Sequence, residues 1–280
     1  MDGTDYYFGE PNQTYNHVYY PEQLYRYDPN GWAGKRTEGK RLDPVRYPGN
    51  KKKTHYTHDE ITENALAFID RAKDSPFFLY VPYTIPHAQF VVPELEDYTR
   101  GKPWSNQAKV FASMISRMDR DCGRILDKLK EHGIDKNTLV IFTSDNGGLK
   151  NFDKEFDNSG ELQGFKGQLN EGGLRVPCIA YWPGRIKTGD TSDEQLAFWD
   201  FMPTFAELAG MKPPTPIDGI SFVSTLTGKG KQVSHKYLFF SYKKSTYIVR
   251  GEGETRTDEE ITAEANTEVV VPKFTAQRTE

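Results

Sequence analysis

Three short apolar runs, each uninterrupted and each followed by a sharp turn, constrain this chain more than any other feature. They are Pro76-Phe77-Phe78-Leu79-Tyr80-Val81, Thr138-Leu139-Val140-Ile141-Phe142-Thr143 and Val176 to Trp182, the last closed by Pro183-Gly184. Runs of this length with no polar alternation read as strands covered on both faces. Amphipathic stretches lie among them. Ile61, Ala65, Phe68, Ile69 and Ala72 recur at helical spacing after Thr57-His58-Asp59-Glu60, whose T-x-x-E order reads as a capping box. From Asn106 to His132, Phe111, Met114, Ile115, Met118, Cys122, Ile125, Leu126 and Leu129 form one stripe, and Gly133 supplies a stop. Phe198 to Leu208, before Gly210, reads as a further helix. Strands of this kind alternating with helices predict an α/β fold with a mostly parallel sheet.

Several classes are excluded. Thirty-seven of the 280 residues are aromatic, which a disordered chain would not carry. A net charge of −4 argues against a basic nucleic-acid binder. Neither Cys122 nor Cys178 has a C-x-x-C partner, and Cys122 lies on the helical stripe as a small core residue. The longest stretch without Asp, Glu, Lys or Arg, Ser75 to Pro93, contains four prolines and does not read as a membrane span. The first residues lack a basic-then-apolar signal pattern, and the compartment is not legible. Residues 35–53 carry eight basic and two acidic side chains, either a polyanion patch or, more simply, a solvated loop. His55 and His58 stand three apart, which admits a metal pair, but with no third ligand following they read as an exposed helix start. Asn12-Gln13-Thr14 is a glycosylation sequon. Tyr237–Phe240 and Tyr247–Val249 read as a small antiparallel pair, and the acidic tail from Gly251 as loosely ordered.

Ligands of open α/β sheets bind beyond the carboxyl ends of the strands. Two segments lie there. One is Pro82-Tyr83-Thr84-Ile85-Pro86-His87, and the other is Ser144-Asp145-Asn146-Gly147-Gly148. Asp145 and Asn146 offer hard oxygen donors suited to Ca²⁺ or Mg²⁺, although an Asx turn would use the same residues. His87 is either structural or functional. Lys166, in Gly164-Phe165-Lys166-Gly167 with Glu171-Gly172-Gly173 close behind, is either a solvated lysine or an anion contact.

In combination these segments resemble the formylglycine-dependent sulfatases of the arylsulfatase type. The resemblance rests on P-F-F-L-Y-V-P-Y-T-I-P-H-A, T-S-D-N-G-G, G-F-K-G-x-x-x-E-G-G-x-R-V-P and W-P-G-R-I. It extends to F-W-D-F-M-P-T-F-A-E-L-A-G and the D-G-I-S of Asp218–Ser221, and it covers about residues 1–250. It implies an alkaline-phosphatase-like α/β sandwich, incomplete at the amino terminus, with the start of a small antiparallel carboxyl-terminal unit. Residues 1–230 would then be a partial catalytic domain, and 231–280 a remnant of the closing subdomain with a divergent tail. The activity implied is hydrolysis of sulfate esters. Asp145 and Asn146 would ligate Ca²⁺, while His87 and Lys166 would act as catalytic, sulfate-binding groups. The substrate would be a sulfated small molecule or glycan.

The chain departs from the family at its nucleophile. Cys122 precedes Gly-Arg-Ile and Cys178 precedes Ile-Ala-Tyr, so neither sits in the C-x-P-S-R motif that yields formylglycine. The amino-terminal aspartate pair of the metal site has no counterpart either. The expectation is a carboxyl-terminal part of a sulfatase, inactive alone, with the missing amino-terminal part as its partner. The alternatives are a non-catalytic remnant that binds sulfated ligands or a partner chain, and a phosphate or phosphonate ester hydrolase of the same superfamily.

Overall fold

A computed structural model describes residues 5–12, 14–33, 36–38, 41–242, 245–253 and 255–262. The tail beyond 262 lies outside them. The chain divides into two compact units, Met1–Thr138 and Leu139–Glu280.

In the first unit, β1 (Tyr7–Gly9), β2 (Gln23–Tyr27) and β3 (Asp43–Arg46) form an antiparallel sheet in that order, with Leu24 of the middle strand 1% exposed. Helices α1 (Thr57–Ala72) and α2 (Asn106–Glu131) pack on each other. The expected α1 residues Ala65, Phe68, Ile69 and Ala72 are buried. On α2, Phe111, Met114 and Leu129 are buried as well, but Ile115 is 39% exposed. The inner face of α2 instead carries Ala108, Ala112, Ser113 and the buried carboxylate of Asp121. Gly133 closes α2 in the left-handed conformation at φ 68°, its N–H on the Lys130 carbonyl at 2.9 Å.

The start of α1 differs from the expected capping box. Tyr56 is the cap residue and makes no side-chain cap bond. The Thr57 hydroxyl donates to the Val18 carbonyl at 3.0 Å, and Glu60 accepts from Tyr47 at 2.9 Å and pairs with His55 at 2.8 Å. Those long-range partners outcompete the local cap. His58 is not exposed as expected. It is 2% exposed, and its Nε2–H donates to Asp121 at 2.9 Å, joining α1 to α2.

This pair gives the first unit an acid-sensitive link. Burial alone would raise the Asp121 carboxyl, but hydrogen bonds from His58 and Arg124 outweigh it and hold the group below the usual carboxylate range. A depressed folded value stabilises the fold above the unfolded value and is lost as pH falls through the folded one. Asp121→Asn is therefore expected to cost roughly 2–3 kcal/mol near neutrality, with the gap to the parent narrowing below about pH 4. Urea melts at stepped pH measure this, and a gap that does not narrow would refute it.

In the second unit, β4 (Val140–Thr143) pairs with β5 (Cys178–Tyr181). Its helices include α3 (Asp153–Phe156), α4 (Glu171–Leu174), α5 (Phe201–Leu208) and α6 (Val223–Thr227). Strands β6 (Tyr237–Tyr242) and β7 (Ser245–Arg250) form the expected antiparallel pair.

Every strand pair among the described residues is antiparallel, in place of the expected parallel ladder. Phe77–Val81 belongs to no strand, although Phe78 and Tyr80 are 70% and 74% exposed while residues 77, 79 and 81 are partly covered. That alternation is the period of an extended chain with one face covered. Ile179 of β5 is likewise 61% exposed. Parallel sheets need cover on both faces, and the described residues do not supply it to these runs. No helix among the described residues is long and apolar enough to cross a membrane.

Candidate functional site

Asp145 and Asn146 follow β4 directly, as expected for groups delivered by a strand end. What fixes their turn is a set of backbone contacts to the lysine loop. The Lys166 N–H donates to the Gly148 carbonyl at 2.9 Å, Gly147 N–H to Gly173 at 3.0 Å, and Gly172 N–H to Gln163 at 2.8 Å. Here the glycines serve close approach. A Cβ on Gly147 would lie 2.0 Å from the Gly172 carbonyl oxygen, and one on Gly172 would lie 2.2 Å from that of Gly164. The glycines of T-S-D-N-G-G and G-F-K-G-x-x-x-E-G-G are thus two sides of one backbone contact. Tyr247 of β7 braces the lysine loop from its far end, its hydroxyl donating to Glu171 at 2.7 Å.

The loop leaves polar side chains uncommitted. Asp145 and Lys166 are exposed, and among the described residues neither side chain has a hydrogen-bond or ion-pair partner. Asn146 donates its amide N–H to the Gly147 carbonyl at 3.1 Å, which leaves its oxygen as a donor to a cation. A carboxylate and an amide oxygen fit a hard divalent ion, though they are a minority of the six to eight oxygens Ca²⁺ takes.

His87 belongs to the first unit. Ile85, two residues earlier, is 3% exposed and packs with Tyr19, Tyr56 and Met114, anchoring the segment that carries the histidine. Its Nδ1 lies 2.5 Å from the Ala88 carbonyl. A carbonyl only accepts, so Nδ1 carries the proton and Nε2 is the open nitrogen. The structure therefore gathers Asp145, Asn146 and Lys166 through one loop contact and holds His87 separately within its own unit.

A second cluster, His58, Asp59 and Asp121, places possible ligand atoms within 4.8 Å of one another. Its charges are already met. Arg117 grips Asp59 with two bonds of 2.6 Å, and Arg124 and His58 hold Asp121 at 3.2 and 2.9 Å. A cation there would have to displace guanidinium groups, so the cluster suits a structural lock better than a metal. Neither cysteine sits in a C-x-P-S-R motif, and desolvation pushes both thiols up, away from thiolate, even though Cys178 is exposed.

Sequence reading missed Asp200. It is fully buried and accepts from the N–H groups of Ala197 (2.7 Å) and Ile220 (2.8 Å) and from His235 (2.9 Å). It ties F-W-D to D-G-I-S. The signal was present as a lone acid in an apolar helix start.

A family model for sulfatases matches residues 2–211. The chain belongs to the sulfatase family. This sulfatase chain is 32% identical over 188 residues to the uncharacterized sulfatase YdeN of Escherichia coli, covering 65% of this chain and 33% of that protein. It is 35% identical over 186 residues to N-acetylgalactosamine-6-sulfatase of Mus musculus, covering 64% of this chain and 34% of that protein. The sulfatase chain thus spans about a third of the length of these curated relatives. Among solved structures, Ps i-CgsB in complex with k-i-k-neocarrahexaose aligns at a TM-score of 0.57 and 28% identity, over 78% of this chain and 48% of that one. The fold is the alkaline-phosphatase-like α/β fold.

Proposed function

We propose that this chain carries part of the active site of a sulfate-ester hydrolase, with Asp145 and Asn146 as metal ligands and Lys166 and His87 as sulfate contacts. The observation that carries the reading is the glycine-locked contact that fixes the D-N-G-G turn to the lysine loop, with the Asp145 and Lys166 side chains making no hydrogen bond or ion pair among the described residues. A bound Ca²⁺ ion would supply charge neutralisation for the sulfuryl oxygens. The chain's own residues do the rest. The Lys166 ammonium binds a sulfuryl oxygen as a point charge. His87, with Nδ1 committed to Ala88, uses Nε2 to hold a proton at the ester oxygen that departs. Neither cysteine provides the nucleophile, so on this reading the chain binds and positions sulfate but does not turn it over alone. Residues 1–230 serve as the partial catalytic domain, and 231–280 as its closing remnant.

The substrate class is a sulfate ester on a glycan or small molecule. The mouse relative is named for a sulfated sugar, and Ps i-CgsB was solved with k-i-k-neocarrahexaose. Titration of inorganic sulfate against inorganic phosphate, followed by calorimetry, tests the class. Lys166→Ala is expected to weaken sulfate binding about tenfold, the worth of one charge-assisted hydrogen bond. Equal affinity in parent and variant, or a clear preference for phosphate, would overturn the reading.

A further inference from the structure

We infer that His17 is a positioning residue for His87, a role that rests on the reading of His87 as a sulfate contact. The two imidazoles stack nearly parallel, with centroids 4.0 Å apart and an interplanar angle of 11°. The same segment reaches His87 a second time, because the Tyr19 hydroxyl donates to the His87 carbonyl at 2.5 Å. One loop thus grips both the ring and the backbone of one residue.

That loop is itself built to hold still. Asn12 caps it, its side chain accepting from Thr14 N–H at 2.9 Å and its carbonyl from Tyr15 and Asn16. At its other end, Val18 and Tyr19 are pinned to the start of α1 through bonds to Thr57 of 3.0 and 2.9 Å. Tyr19 is 3% exposed in the core cluster that also holds Ile85. The His87 ring has two remaining degrees of freedom once Ile85 is packed and its carbonyl is bound, the rotations about its two side-chain bonds. The bond from Nδ1 to Ala88 and the flat face of His17 together restrict those rotations, leaving Nε2 presented at a fixed angle. Holding a reacting group within a narrow angular range is worth large factors in rate and smaller ones in binding.

Nuclear magnetic resonance on the full chain tests this. In the parent, the His87 ring protons are expected upfield from ring-current shielding by His17, and Nδ1 is expected to be the protonated nitrogen. His17→Ala should remove the shielding, average the two His87 tautomers and weaken inorganic sulfate binding roughly fivefold, a fraction of one hydrogen bond. His17→Phe keeps a flat ring and should restore the single tautomer and the affinity, which a merely space-filling role for an imidazole would not single out from leucine; His17→Leu should not restore them. Unchanged His87 tautomer and sulfate affinity in His17→Ala overturns the inference. His87 signals that sulfate fails to move in the parent overturn the sulfate-contact reading instead, and the ring signals still report whether the stack orders His87.

Discussion

Gly147→Ala is expected to unfold the region around the D-N-G-G turn. Its new Cβ would stand 2.0 Å from the Gly172 carbonyl oxygen, and that atom is backbone held by its own hydrogen-bonded loop. No rotamer relieves such a clash, so the two loops must part. Overpacking against rigid backbone costs about 3 kcal/mol or more, which for a chain of this size lowers Tm by roughly 6–12 °C. Gly172→Ala meets the Gly164 carbonyl at 2.2 Å and should behave alike. Gly184→Ala serves as the control, because nothing lies within 4 Å of its added Cβ and only the left-handed φ of 76° is penalised. Its cost should stay near 1 kcal/mol. Thermal melts of the three variants decide the matter, and equal losses at Gly147 and Gly184 would show that the loops do not interlock.

Asp200→Ala is the second large effect. The substitution strands two partly buried backbone N–H groups, those of Ala197 and Ile220, together with the ring N–H of His235. Each stranded donor costs about 1–3 kcal/mol, and relaxation shares part of the loss, so a total of roughly 3–5 kcal/mol is expected. Asp200→Asn keeps one acceptor oxygen and should recover about half. Denaturant melts measure both, and a loss under about 1 kcal/mol in Asp200→Ala would mean that other groups take over the three donors.

The sequence was most legible where the physics is local and periodic. α1 and α2 announce themselves through apolar spacing, and Gly133 and Gly210 mark real helix ends, both in the left-handed conformation. The motif segments were legible as chemistry, since D-N-G-G and G-F-K-G carry both their donors and the glycines that let them meet. Pairing direction was not. A run such as Phe77–Val81 states that it is apolar and extended, but which neighbour it pairs with is a long-range property. Polar groups turned inward were equally hidden. Asp121 and His58 look like surface residues of charged helices, and Asp200 like a helix-start acid, because burial of a charge is decided by a partner distant in the chain. His17 gave no signal at all, as its stack on His87 spans seventy positions of sequence.

Calorimetric titration of Ca²⁺ into the chain tests most directly whether Asp145, on the turn bound to the lysine loop, is a metal ligand. With one carboxylate and one amide oxygen, binding should be weak, in the millimolar range as an order of magnitude, and should vanish in Asp145→Ala while the fold stays intact. Binding heat that Asp145→Ala leaves unchanged, or micromolar affinity in the parent, would contradict the account.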